Sequence, residues 1–130
     1  MIYRMPNLDT LIELHNDYRK EKSWWYSIEP LEKDSVLMEY AHKWALHMSS
    51  VDKMSHSDIK YLSSIGYGRV GENVAFGQKD EISVMKSWIK SSGHRRNILN
   101  KHFTNIGCGF SYSDTDRIYW CVCFGKSKNK

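Results

Sequence analysis

The sequence predicts an α+β domain, a three-layer α-β-α sandwich whose helices cover both faces of a central antiparallel sheet. Three observations carry that prediction. The C-terminal end reads as two strands, 105–112 and 117–124, flanking the turn-forming tetrapeptide Ser113-Asp114-Thr115-Asp116. Both faces of this hairpin are apolar, so each needs a cover. Upstream, three stretches repeat apolar residues every three or four positions, which supplies helices for both sides.

Taken in chain order, residues 7–20 form the first helix, with Leu8, Leu11, Ile12, His15 and Tyr18 or Arg19 on one face. His15 therefore sits on an apolar stripe. A polar, Trp-bearing connection spans 20–29, and Pro30 stops any continuing helix. The clearest helix covers 35–49: Asp34 or Ser35 caps it, and Val36, Leu37, Tyr40, Ala41, Trp44, Ala45 and Met48 line one side. A shorter helix is expected over 58–65, ended by Gly66. The segment 66–77 carries four glycines in twelve residues and reads as loop with one short strand. Asp80 then opens a third long helix, with Ile82, Met85, Trp88 and Ile89 turned inward, which stops at Ser91-Ser92-Gly93. His94–Leu99 adds one further turn. A hairpin centred on the tetrapeptide sets Cys108 opposite Cys121. In that register Ile106, Cys108, Phe110, Tyr119, Cys121 and Cys123 share one face. Ile118, Trp120, Val122 and Phe124 share the other with Gly107 and Gly109. Trp44 and Trp88 from helices and Trp120 from a strand are expected to pack the covered sheet.

A chain of 130 residues is one domain's worth, with a core over about 8–125 and a basic tail at 126–130. An apolar content of 41% and a charged content of 26% exclude a disordered or fibrous chain. No apolar run approaches the roughly 20 residues of a membrane span. The first ten residues show no secretory signal, so the chain is expected to be a mature form, an intracellular protein or a virion-associated one. Most of the +4 formal charge sits on Lys126, Lys128 and Lys130, read as a frayed tail. A nucleic-acid partner, which needs a basic stripe, is therefore not expected. Cys108, Cys121 and Cys123 are too few and too clustered for a disulfide scaffold. A Cys108–Cys121 cross-strand bridge and three reduced thiols in a packed sheet both remain open.

Four segments concentrate polar groups in apolar or glycine-rich surroundings: 15–19, 54–57, 71–77 and 93–100. His56, Glu72 and His94 offer two imidazoles and a carboxylate, a ligand set for zinc with one position open to water. These residues lie on three separate elements without a spaced pair, and on the residues alone each His is read first as a hydrogen-bonded core or cleft residue. Ser57, His56 and Glu72 contain the members of a nucleophilic triad. Adjacent Ser and His side chains rarely meet, however, and Ser57 is read instead as a helix cap. The 71–77 glycines do not make a phosphate loop; they let the backbone pass close beneath a helix and present Glu72. Arg95 and Arg96 read as a solvated basic turn.

In this order the segments HNDYR, AHKWALHMSSVDKMSHS, GENVAFG, GHRRNILNKHFTNIGCGF and IYWCVCFG resemble the CAP superfamily, also called the SCP domain, in its bacterial form. That superfamily includes cysteine-rich secretory proteins, insect venom antigens and plant pathogenesis-related proteins, and the resemblance covers about residues 8–125. It implies an α-β-α sandwich with a central cleft, in which two His and two Glu can hold a divalent metal such as zinc. Carried over by position, the cleft residues are His56, Glu72 and His94. Ser91 stands where the second Glu belongs, and Asn97 where many relatives have Gln.

Three functions are compatible with these residues. Placed first is a binding module whose cleft, floored by His56, Glu72, His94 and Asn97, takes a small lipid-like ligand or a protein partner. A structural component of a larger, even viral, assembly comes second. A metal-dependent hydrolase, with zinc on His56, Glu72 and His94, comes third.

Overall fold

The described residues of this computed structural model are 4–24 and 27–128. Trp25 and Tyr26 of the polar connection, and Lys130 of the tail, lie outside them.

Helix α1 spans Leu8–Glu21, and the side chain of Asn7 caps it by accepting from the Thr10 N–H. A two-residue strand β1, Glu32–Lys33, precedes α2, Ser35–Val51. Asp34 resolves the capping choice: its carboxylate accepts from the N–H groups of Val36 and Leu37. A short α3, Lys60–Ser64, ends before Gly66, whose φ of 124° suits glycine. Strand β2 covers Tyr67–Phe76, α4 Glu81–Lys90 and α5 Ser92–Leu99. Strands β3, Asn105–Tyr112, and β4, Ile118–Ser127, close the chain. The sheet order is β1-β3-β4-β2, antiparallel except for the short parallel β1–β3 pair.

Two apolar layers form on this sheet, as the sandwich requires. Leu11, Ile12, Val84, Met85, Trp88 and Ile98 from α1, α4 and α5 pack on Trp120, Val122 and Phe124. Leu37, Ala41, Ala45, Met48 and Leu62 from α2 and α3 pack on Tyr119, Cys121, Cys123 and Val74. Close approach of α2 explains two glycines: a Cβ on Gly107 would lie 2.1 Å from Leu37 C, and one on Gly109 would lie 2.6 Å from His42 Cα.

Several expectations need correction. The 66–77 segment is a ten-residue strand rather than a loop, because its residues pair along β4 from Tyr67↔Ser127 to Phe76↔Tyr119. Hairpin register is shifted by one: Cys108 pairs with Val122, and Gly109 with Cys121. Ser113 N–H donates to Arg117 O and Asp116 takes φ 61°, so the turn is an odd, three-residue loop rather than a symmetric tetrapeptide. A one-residue slip exchanges faces. Cys108 therefore belongs to the α1–α4–α5 layer and Cys121 to the α2 layer, and a bridge between them is excluded. On α4, Ile82 is 57% exposed, and Val84 and Glu81 are buried in its place. The tail is not frayed through 128: Lys126 and Ser127 belong to β4, and the Lys128 N–H donates to Gly66 O. Among the described residues no helix is long and apolar enough to cross a membrane.

Two buried polar residues hold the layers. Arg19, on the inner face of α1, donates to the carbonyls of Glu29, Ile98, Asn100 and Phe103. This joins α1 to the carbonyl-rich end of α5, where a cation is favoured. Burial lowers its pKa to about 10. Glu81 ties the N-terminal arm down: its carboxylate accepts from the Arg4 guanidinium and the Asn7 N–H, and these bonds, Arg4 foremost, lower its pKa to about 2.

Candidate functional site

Glu72 lies on β2, the sheet's edge strand, opposite Cys123 of β4, and its side chain is only 3% exposed. A buried carboxylate needs donors. The segment between α2 and α3 supplies them. His56 Nδ1 donates to Glu72 Oε1 at 2.9 Å, as does the Ser57 N–H at 2.9 Å, while the Ser57 hydroxyl donates to Oε2. The Cys121 thiol reaches Oε2 from beneath at 3.9 Å.

Aromatic residues one helical turn apart on α2 fix the segment in place. Tyr40 donates its hydroxyl to Ser57 Oγ at 2.8 Å and to Asp58 O at 3.1 Å, and Trp44 Nε1 donates to Ser55 O at 2.8 Å. Ser57 is thus spent on Glu72 rather than on capping α3, which has no side-chain cap. His56 and Ser57 both turn to the carboxylate and share no hydrogen bond with each other, so the Ser-His-acid relay of a triad is absent from this arrangement.

The neighbouring residue Asn73 is fully buried and organises the α5 side. Its Nδ2 donates to His94 O at 3.1 Å, and its Oδ1 accepts from Asn97 Nδ2 at 2.9 Å. Asn97 also donates to the Glu72 carbonyl at 3.3 Å. Gly71 leaves room for this contact, since a Cβ there would sit 2.8 Å from Phe103 and 3.3 Å from Asn97 Oδ1. His94 is half-buried near the start of α5; burial, and then the charge of His56, lower its pKa. Ser91 joins the ends of α4 and α5 and makes no side-chain cap. Arg95 donates to Ile89 O at the end of α4.

The four expected residues thus fall on two sides of β2: His56 bonds the Glu72 carboxylate from the α2–α3 side, while the His94 carbonyl and Asn97 bond Asn73, and Asn97 the Glu72 carbonyl, from α5. Among the described residues, the metal-type donors that gather within 4.8 Å of one another are Glu72, Cys121 and Cys123. The sequence reading missed Tyr40, Asn73 and the thiol pair as parts of this centre. The signal for Tyr40 was its position four residues before Trp44, on the helix leading into the His-Ser segment. For Asn73 it was a lone amide in a run that ends Val-Ala-Phe.

A groove of about 400 Å³ opens beside Ser57, walled by Tyr40, Trp44, Tyr61, Leu62 and Ile65. Tyr40 and Tyr61 stack with ring centroids 6.3 Å apart.

Comparison with known proteins gives a consistent picture. The profile of the cysteine-rich secretory protein family, CAP, matches residues 12–124. The uncharacterized protein YkwD of Bacillus subtilis is 35% identical over 108 residues, covering 77% of this chain and 40% of that protein. An outer surface protein of Borrelia burgdorferi has the same fold at a TM-score of 0.82 and 20% identity, covering 93% of this chain and 92% of that one. NaASP2, solved with Zn2+, superposes at a TM-score of 0.70 with 13% identity, covering 92% and 83%. The chain spans 28% to 40% of the length of the curated relatives it matches.

Proposed function

This chain belongs to the cysteine-rich secretory protein (CAP) family, and from that premise we propose that it is a binding module for a small lipid-like ligand. The supporting observation is the continuity of the aromatic groove with the buried polar centre through Ser57, which lines the groove and bonds Glu72. An apolar body lies along Tyr61, Leu62 and Ile65, and a polar head meets Ser57, whose hydroxyl bonds Glu72. A volume of about 400 Å³ suits a small molecule, and its largely apolar wall also carries Glu39, Lys43, Ser57 and Asp58.

Zinc on His56, Glu72 and His94 has less support. Ser91 takes the place of a second carboxylate, and the gathered donor set excludes both imidazoles. The hydrolase reading consequently assigns no step to these residues.

The test is titration of the chain with a fluorescent long-chain fatty acid and a fluorescent sterol. Saturable binding of one of them is expected, weakened at least ~10-fold by Tyr61→Ala, which removes an exposed groove wall. No saturable binding, or binding indifferent to both Tyr61→Ala and Ser57→Ala, sinks the lipid reading and leaves a protein partner to be sought on the same groove.

A further inference from the structure

On the α2 face of the sheet, behind Glu72, two thiols stand side by side. Cys121 and Cys123 alternate along β4, both are fully buried, and their sulfurs are 3.8 Å apart. Cys121 Sγ lies 3.9 Å from Glu72 Oε2, and Glu72 is the direct cross-strand partner of Cys123. We propose that Glu72, Cys121 and Cys123 form a buried site for a thiophilic divalent cation of the zinc group, separate from the imidazole pair.

Geometry supports this in two ways. Tetrahedral zinc with metal–sulfur bonds of about 2.3 Å places neighbouring sulfurs about 3.8 Å apart, so these thiols already have ligand spacing. A disulfide between them suits the backbone poorly. Residues i and i+2 of a strand are separated by about 6.6 Å, at the far edge of the range a disulfide spans. Two thiols held close yet poorly placed to join are better matched to an ion than to each other.

Their presentation is rigid. All three donors project from β2 and β4, which pair from Val70↔Gly125 through Phe76↔Tyr119. Gly107 and Gly109 stand opposite Cys123 and Cys121 on β3, so no neighbouring side chain from that strand competes for the face. The exposed His56 ring bonds Glu72 Oε1 at 2.9 Å, while the Cys121 thiol reaches the other oxygen, Oε2. On coordination each thiol gives its proton to solvent, so binding of one dication releases two protons from the sulfurs. The donor set, two sulfurs and one oxygen, favours zinc or cadmium over magnesium or calcium.

The experiment uses the full chain, reduced and stripped of metal, titrated with Cd2+ alone. The expected result is an ultraviolet thiolate-to-cadmium band saturating at one ion per chain, with a cadmium NMR shift in the two-sulfur range. Cys121→Ser and Cys123→Ser each abolish the band, while Cys108→Ser and His94→Ala retain it. Absence of the band in the unaltered chain overturns the proposal, as does a band that His94→Ala removes and the two serine variants keep. Should either serine variant fail to fold, the NMR shift of the unaltered chain decides: a shift typical of nitrogen and oxygen ligands alone refutes the site. Failure of lipid binding leaves this result untouched, since the two titrations read different groups.

Discussion

Acid should unfold this protein early, and His15 is the reason. Its ring is completely buried against Trp88 and Phe124, with centroid distances of 6.0 and 5.7 Å. Nδ1 donates to Leu11 O at 2.8 Å, while Nε2 has no partner. Burial, aided by the charge of Arg19, lowers its pKa from 6.5 to about 4. A histidine depressed in the folded state stays neutral there while the unfolded chain takes up a proton. Its contribution is therefore complete above the unfolded value and is lost as pH falls from 6.5 towards 4. At about 1.4 kcal/mol per unit, that interval is worth roughly 3 kcal/mol. This is a large share of the roughly 5–15 kcal/mol typical of a domain. Urea unfolding should be followed from about pH 7 to about pH 4 for the native sequence and for His15→Phe, which keeps an aromatic ring and removes the titrating nitrogen. His94 and His102 are also depressed, and they slope both proteins alike. The native sequence should lose roughly 3 kcal/mol more than the variant across the interval. Parallel curves for the two proteins would refute the assignment.

Three further outcomes follow from the packing. Gly109→Ala drives a methyl into the α2 backbone and should cost about 3 kcal/mol in the urea midpoint, whereas Gly93→Ala, with nothing within 4 Å, should be neutral or slightly stabilising. Arg19→Lys replaces a planar fork serving four carbonyls with a point charge, and differential scanning calorimetry should show a loss of about 3 kcal/mol. Oxidation followed by peptide mapping should yield no Cys108–Cys121 peptide, because the sheet separates the two sulfurs; recovery of that peptide from folded protein would contradict the β3–β4 register.

Much of the architecture was legible from periodicity. The α1 and α2 faces emerged largely as read, down to buried Leu11, Ile12, His15, Leu37, Ala41 and Ala45, because a helical stripe marks its own inner side; Val36, in the first turn of α2, is exposed instead. The apolar character of both hairpin faces correctly demanded two helical layers. Strand β2 was illegible because its glycines, read as breakers, serve other needs: Gly71 clears space for Asn97 and Phe103. Ile82 was misplaced because Glu81 is buried instead, held by an ion pair with Arg4 from 77 residues away. The motifs singled out His56, Glu72, His94 and Asn97 but not their partners, since Tyr40 meets Ser57, the Cys121 thiol meets Glu72, and Asn73 meets His94 and Asn97 only across elements.

Sequence by itself therefore determined the layers, the principal helices and the identity of the polar residues worth following. Local pattern suffices there, because a helix or a strand repeats its solvent preference every few residues. Tertiary structure alone decided the hairpin register, and with it which cysteines share a face. A single αL residue, Asp116, sets the turn at three residues and so shifts β3 by one against β4. In a sheet of period two, that one step moves Cys108 away from Cys121 and leaves Cys121 and Cys123 beside Glu72.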